Sequence, residues 1–369
     1  MRARRRPPIF CACPSGSSTS TICTPTSSRR SRDARSQIRA ADVLVEHRAD
    51  GVLVEHRADA GGDRVKLRVA TCLTLPEVDA DAVPLAAAFA AAGVDAELVA
   101  WEDPSVDWDA PVPTILRSTW NYALDVTVFL AWIDRVARAA PLWNPADIVR
   151  GNVHKRYLLD LAARGVPVVS TTLVERGAML SADQLAQIAK KIVIKPEVGA
   201  GSLHTRVFEL PDPAAAIHLA SITGAALETI GANTTIAGAG ATHGIDAHRV
   251  YGAALVQPYL ASVDDYGERS LVWIDGTLSH AIRKAPRFAG DNEAITGPFP
   301  ITDAERAVAE AALAPIADRI LYGRVDLARD ERDRPVVMEL ELVEPSLFFA
   351  RGPGSAEQFV DGLARRLRT

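Results

Sequence analysis

Glu339 and Glu341, two carboxylates one residue apart in Val336-Val-Met-Glu-Leu-Glu-Leu342, have types and spacing that could do chemistry. On a strand, alternate side chains share a face, so these acids point one way while Met338, Leu340 and Leu342 point the other. If the apolar face packs inward, the acids lie side by side and repel unless a cation sits between them. Asp326, in Arg324-Val-Asp-Leu327 on the strand before, adds a third hard oxygen donor. Such a set suits magnesium, which keeps some of its waters and also binds phosphate oxygens. A solvated acidic edge strand is the competing reading. A second feature is Lys195-Pro-Glu-Val-Gly-Ala-Gly-Ser202. A lysine at a strand end offers a point charge to phosphate, and Gly199 and Gly201 let backbone N–H groups close over phosphate oxygens. No Lys-Ser/Thr follows the glycines, so this is not a Walker A loop, and a plain tight turn is the alternative.

Further residues are bland singly. Lys155, in Asn152-Val-His-Lys-Arg-Tyr157, falls in the first turn of an expected helix, where the dipole disfavours a cation and an anionic partner would relieve it. An exposed lysine is the commoner case. Gln257-Pro-Tyr259-Leu260 leaves a strand as a proline-stiffened connector, Glu268 opens the next strand, and Lys284 follows a hairpin. Arg117 and Ser118 begin a loop at the carboxyl end of a strand, where parallel sheets bind ligands. The guanidinium fork of Arg117 matches a substrate carboxylate; pairing with a neighbouring acid is an equal alternative. Ser346 lies in a second loop, 345–351. His154 and His280 read as surface residues, with support of the site residues from behind as the alternative.

The elements that must position these groups follow from periodicity. Strands are expected at Leu67–Cys72, Asp95–Trp101 and Thr114–Leu116, with helices at Ala82–Ala92 (stopped by Gly93) and Val126–Ala139. Strand, helix, strand at this spacing means a parallel α/β lobe. Asn152 is expected to N-cap a helix over Val153–Ala163, ended by Gly165-Val-Pro. Ile192–Lys195 is a strand broken by Pro196. Strands return at Ala253–Gln257, at Ser270–Ile274 and Leu278–Ile282 joined by an Asp275-Gly276 turn, and at Gly323–Arg329 and Pro335–Val343. Thr302–Ile320 and Ala356–Leu367 are helices. The Gly/Ala/Thr-rich stretch 224–250 reads as an inserted loop.

Composition bounds the function. No apolar run is long enough to span a bilayer, and a net charge of −5 gives no general attraction to nucleic acid. Nine arginines and one aspartate fall in residues 1–40, so the rest is plainly acidic, with 32 basic against 45 acidic residues. Residues 1–64 lack periodicity apart from one tandem copy, Val43–Asp50 repeated as Val52–Asp59. This segment is expected to be disordered or a non-native extension from an upstream start, with an organelle transit peptide as the alternative. Three of four cysteines lie there, and Cys11-x-Cys13 has no partner pair at zinc spacing. A body with only Cys72 suits a reducing cytoplasm.

Read in order from about Leu67, these residues resemble the ATP-grasp superfamily, as in D-alanine–D-alanine ligases and glutathione synthetases. Arg117-Ser-Thr-Trp, Gly267-Glu-Arg-Ser and Glu-Leu-Glu-Leu-Val-Glu-Pro-Ser346 are similar to the cycloserine-synthetase-like branch. The resemblance implies an α/β ATP-grasp fold: an N-terminal parallel α/β lobe (65–151), a central lobe with a flap loop (152–256) and a C-terminal lobe with the metal site (257–369), the last two clasping ATP. It implies that Lys155 and Lys195 bind phosphates, Lys195 also near adenine, and that Gly199, Gly201 and Ser202 form the flap. Gln257, Tyr259 and Leu260 would form the adenine hinge, and Glu268 would accept from the ribose. Lys284 would reach the γ-phosphate, Arg324 would stabilise the charge that develops in phosphoryl transfer, and Asp326, Glu339 and Glu341 would hold two Mg2+ ions, with Mn2+ able to substitute. The implied activity is ATP-dependent joining of a small-molecule carboxylate to an amine-type substrate through an acyl phosphate, in the cytoplasm, by a chain for which a homodimer is allowed. A nucleotide-binding pseudoenzyme and a non-catalytic α/β binding module are the rival readings. One departure is that Glu341 stands where the family pattern Glu-x-Asn has its asparagine; it remains a hard ligand.

Overall fold

The computed structural model describes residues 66–226, 252–285 and 294–368. The expectations for residues 1–64 and for nearly all of the 224–250 insertion lie outside the described residues.

The chain opens with β1 (Lys66–Thr71), α1 (Ala82–Ala91), β2 (Asp95–Ala100), β3 (Thr114–Leu116), α2 (Val126–Ala139) and β4 (Leu142–Trp143). The strands form a parallel sheet in the order β2-β1-β3-β4, because helical crossovers bring each strand back in the same direction. α1 buries Leu85, Ala88 and Phe89 and stops where Gly93 takes φ +70°, a conformation open to glycine without strain. Asp125 caps α2 by accepting from the Val128 amide, and Phe129, Trp132, Ile133 and Val136 form its buried stripe.

Helices α3 (Ala146–Asn152) and α4 (Tyr157–Ala163) lead to a second sheet made of β5 (Thr172–Val174), β6 (Lys191–Pro196), β7 (Arg206–Glu209) and β8 (Ala254–Pro258). It is antiparallel, ordered β5-β8-β6-β7, and carries α5 (Ala182–Ile188) and α6 (Pro213–Thr223). β8 runs across the expected 256/257 lobe boundary. Pro196 does not break β6. The Glu197 amide donates to Ala253 on the β8 side, so the missing N–H of Pro196 falls on the opposite side, beyond the last β7 pairing at Ile194.

After α7 (Ser262–Asp265) come β9 (Glu268–Ile274), β10 (Thr277–Lys284), β11 (Ile295–Phe299), α8 (Asp303–Leu313), β12 (Tyr322–Arg329), β13 (Pro335–Glu341) and α9 (Ser355–Leu367). The third sheet is antiparallel, ordered β11-β10-β9-β12-β13. Asp275 and Gly276, at φ +46° and +90°, make the two-residue hairpin turn expected between β9 and β10. α8 ends seven residues before the expected Ile320, because Pro315 cannot donate to the preceding turn.

The first and third sheets share one core. Leu67, Leu85, Phe89 and Ile115 pack with Val272, Ile282, Leu347, Phe359 and Leu363. Asn144, fully buried, donates to the carbonyls of Tyr322 and Leu342 and accepts from the Leu321 amide. Lobe geometry is therefore set by apolar contact and by buried hydrogen bonds that would be costly to leave unmade.

The pair Arg269–Glu305 holds α8 against β9, with both side chains almost fully buried and 2.9 Å apart. Burial works against the Glu305 charge, but hydrogen bonds from Arg269, the Thr302 backbone and Tyr266 hold its carboxyl down to about 2 from 4.5. Glu305→Gln is expected to cost roughly 2–3 kcal/mol at neutral pH in urea unfolding. A depressed carboxyl stabilises fully above its unfolded value and loses that contribution as pH falls through its folded value. The two proteins should therefore converge in stability between about pH 4.5 and 2.

Candidate active site

A cavity of about 1100 Å³ opens between the three sheets. Its floor is the β12/β13 pair, in which Asp326 stands opposite Glu339 and Arg324 opposite Glu341. Glu339 and Glu341 both line the cavity, as their alternation on β13 requires. Asp326 lies beneath, fully buried, and is not part of the wall.

Every one of these acids is met by a cation. The Lys155 ammonium donates to Glu339, with the Lys195 ammonium 3.9 Å from the same carboxylate. Arg324 forks onto Asp326 at 2.9 Å through both Nε and Nη2 and also donates to Glu341. Lys284 bridges Asp326, at 2.8 Å, and Glu268. Burial opposes all of these charges, and the partners decide the outcome. Asp326 is driven well below the carboxylate range by Arg324 and Lys284, and Glu339 is lowered by Lys155 and Lys195. For Glu268, burial prevails over Lys284 and raises the carboxyl to about 7. Lys195 is lowered by burial, which outweighs the attraction of Glu339.

The three acids expected as metal ligands are engaged by lysine and arginine in this structure. Among the described residues no group of three His, Cys, Asp or Glu side chains is close enough to hold an ion. A buried carboxylate left unpaired is expensive, and the neighbouring lysines and arginine neutralise the acids, Arg324 shared by Asp326 and Glu341 and Lys284 by Asp326 and Glu268.

Lys155 is not in a first helical turn. Helix α3 ends at Asn152, α4 begins at Tyr157, and Lys155 sits in the link, where its amide donates to the Glu197 carbonyl. Asn152 is accordingly not an N-cap. Its side chain donates to the Leu340 carbonyl and accepts from the Leu342 amide, clamping this link to β13. Gly199, Gly201 and Ser202 line the cavity, and Gly201 and Ser202 adopt φ near +60°. Gln257, Tyr259, Leu260, Glu268, Lys284 and Arg324 line it too. The Gln257 amide donates to Thr171 at 2.9 Å.

Of the three substrate-loop candidates, only Ser346 lies on the wall. Arg117 is buried beneath it and donates to Asp81 at 3.0 Å, so the pairing alternative describes its geometry. Ser118 shares a hydrogen bond with Thr71 at 2.8 Å. Asp81 also accepts from the amides of Leu347, Phe348 and Phe349, so Arg117 and Asp81 fix the loop that carries Ser346. No sequence signal reveals this clamp, because its partners lie 266 to 268 residues apart. His280 is not a surface residue: it is buried against Gly352, whose backbone leaves no room for a Cβ. His154 is partly exposed, 3.6 Å from Glu197.

Sequence reasoning also passed over Glu344 and Tyr122, both buried in the cavity wall. Burial, then Glu341, pushes the Glu344 carboxyl up to about 8. The signal available was the third acid in Glu339-x-Glu341-x-x-Glu344-Pro.

A parallel α/β lobe followed by two antiparallel lobes around a cavity of lysines, arginine and carboxylates is the architecture of an ATP-grasp ligase. Residues 67–144 match the N-terminal domain family of D-cycloserine synthetase DcsG. The chain is 34% identical over 323 residues to the cycloserine biosynthesis protein DcsG of Streptomyces lavendulae, covering 81% of this chain and 98% of that protein. The crystal structure of D-cycloserine synthetase DcsG superposes with a TM-score of 0.69 at 31% identity, over 82% of this chain and 99% of that one. A D-alanine–D-alanine ligase from Bacillus anthracis, solved with ATP, shares the fold at 14% identity and a TM-score of 0.52, over 82% of this chain and 98% of that one. The chain belongs to the DcsG family of ATP-grasp ligases and is an ATP-dependent ligase. No helix among the described residues is long and apolar enough to cross a membrane.

Asp81→Ala leaves the Arg117 charge buried and three amides unmatched. It should lower stability by about 3–5 kcal/mol, read as a lower urea midpoint with an unchanged slope. A cost below about 1 kcal/mol would show that the clamp does not hold the loop.

Proposed function

We propose that this ligase activates a small-molecule carboxylate as an acyl phosphate and transfers the acyl group to a nitrogen nucleophile. The observation that supports it most is the convergence of Lys155, Lys195, Lys284 and Arg324 on one acid-floored cavity. Four basic side chains in one partly enclosed site suit the oxygens of a triphosphate and the charge that shifts during in-line transfer. The relative is named for cycloserine biosynthesis, and the ring of cycloserine contains an acyl–nitrogen bond, the bond class proposed here.

The roles are those the resemblance to ATP-grasp ligases implies, and the lining of the cavity supports them. Lys155 and Lys195 bind phosphate oxygens, Lys284 reaches the γ-phosphate, and Arg324 steadies the transferring group. Gly199, Gly201 and Ser202 close over the triphosphate, which keeps water from the acyl phosphate. Gln257, Tyr259 and Leu260 hold the adenine, and Glu268 accepts from the ribose. Ser346 meets the substrate, and Arg117 acts through the loop it anchors. Three lobes, 65–151, 152–256 and 257–369, deliver these groups, with β8 crossing between the last two. The donor set fits a hard divalent cation in kind: Glu339 and Glu341 with Asp326 below would hold Mg2+, two ions in this reading, and their present lysine and arginine partners are equally suited to phosphate. When bound, the metal supplies charge neutralisation at the phosphate oxygens. The substrates are a small carboxylate and an amine-type nitrogen, and the setting is the cytoplasm.

The test is ADP release over amino acids and hydroxamate- or hydroxyurea-like donors. Turnover should need a divalent cation and stop with EDTA. Glu339→Gln should lose on the order of 100-fold or more in rate and weaken Mg–ATP binding. Near-normal turnover in that variant would remove Glu339 from the metal site.

A further inference from the structure

The acids of the cavity differ in one respect. Glu339 is held by Lys155, Glu341 by Arg324, Asp326 by Arg324 and Lys284, and Glu268 by Lys284. The side chain of Glu344, 9% exposed, makes no hydrogen bond or ion pair among the described residues, yet it lines the cavity. β13 ends at Glu341, and the chain bends through Val343 and Glu344. The Trp120 indole N–H donates to the Glu344 carbonyl at 3.2 Å, fixing this bend against the first lobe. Glu344 is thus where the first lobe meets the cavity wall. Tyr122 of the first lobe is buried in the same wall, its hydroxyl has no hydrogen-bond partner among the described residues, and Glu344 is the charge that acts on it most strongly.

A carboxyl this buried is costly to ionise without a partner, and once ionised its oxygens only accept hydrogen bonds. A cationic N–H donor supplies both the hydrogen bond and the missing charge, whereas a hydroxyl donates without charge and a second carboxylate is repelled. We propose that Glu344, assisted by the Tyr122 hydroxyl, is the recognition point for the nitrogen-bearing end of the substrate and selects amines over otherwise matching hydroxy compounds. This rests on reading the cavity as that of a carboxylate–nitrogen ligase. It orients the substrate: the N–H group faces Glu344, and the carboxylate to be activated faces Lys284 and Arg324.

The test compares α-amino acids of both hands with the matching 2-hydroxy acids, using wild type, Glu344→Gln and Tyr122→Phe. ADP release is measured with Mg–ATP as each acid and ATP are titrated separately. Wild type should prefer the amino acid. Glu344→Gln should raise its KM on the order of 10–100-fold, the loss expected for a hydrogen bond to a charged group. It should erase the preference over the hydroxy acid and leave the KM for ATP within about twofold. Tyr122→Phe should raise the same KM by a smaller factor; an unchanged value removes the hydroxyl from the subsite. The melting temperature of Glu344→Gln should be no lower than that of wild type, because no partner is lost, and a clear drop would mean a structural role instead. A Gln variant that keeps the preference, or loses ATP and the amino acid together, overturns the assignment while the ligase reading stands. If wild type releases no ADP with any acid, the ligase reading fails, and thermal shifts by the same amino acids with Mg and a non-hydrolysable ATP analogue decide Glu344. A shift lost in Glu344→Gln supports the subsite; a shift retained there, or absent in wild type, overturns it.

Discussion

The matching of buried acids by buried bases on the β12/β13 floor is the interaction on which the rest of this structure depends. Asp326 is fully buried and would be intolerable as a lone charge, so Arg324 and Lys284 must both reach it. Lys284 comes from the neighbouring hairpin and Lys155 from the link between α3 and α4. Neutralising the floor therefore draws the second and third lobes around one cavity. The same side chains that neutralise the acids are those suited to phosphate, so the proposed function would draw on the residues that already balance the charge of the floor.

A second layer of constraint holds that floor in register. Asn152 grips the backbone on both sides of Glu341, at the Leu340 carbonyl and at the Leu342 amide just past β13, and the Tyr157 hydroxyl accepts from the Leu340 amide. Asn144 ties the first lobe to β12 and to the end of β13. Asp81 gathers three consecutive amides of the loop that follows. Each is a short polar side chain that completes a backbone group where no strand partner is available, which is how irregular segments stay satisfied in a buried setting. Rigid support beneath the cavity contrasts with the loop at Gly199–Ser202, the proposed flap. There the backbone turns left-handed, and the adjacent Leu203 is exposed.

The sequence alone determined the periodic features, because periodicity is local. Glu339 and Glu341 were placed on one face by the two-residue repeat of a strand, and the Asp275-Gly276 hairpin and the span of α2 were legible for similar reasons. The order of lysines, arginine and acids along the chain was enough to suggest the fold. Tertiary structure decided whatever depended on a distant partner. Asn152 looked like an N-cap, but strand backbone nearly 190 residues away claimed its amide. For Arg117 the sequence left substrate binding and pairing with an acid as equal readings, and Asp81 comes beside it only once β1 and β3 are paired and α1 is folded over them. His280 reads as a surface residue by its polar type alone, but a glycine near the end of the chain packs on it and it is buried. A carboxylate's spacing shows which way it points, but whether it meets a lysine, an arginine or no partner depends on how three lobes close around it. Glu344 could be seen in the sequence as a third acid, but that it has no partner among the described residues was legible only in the folded molecule.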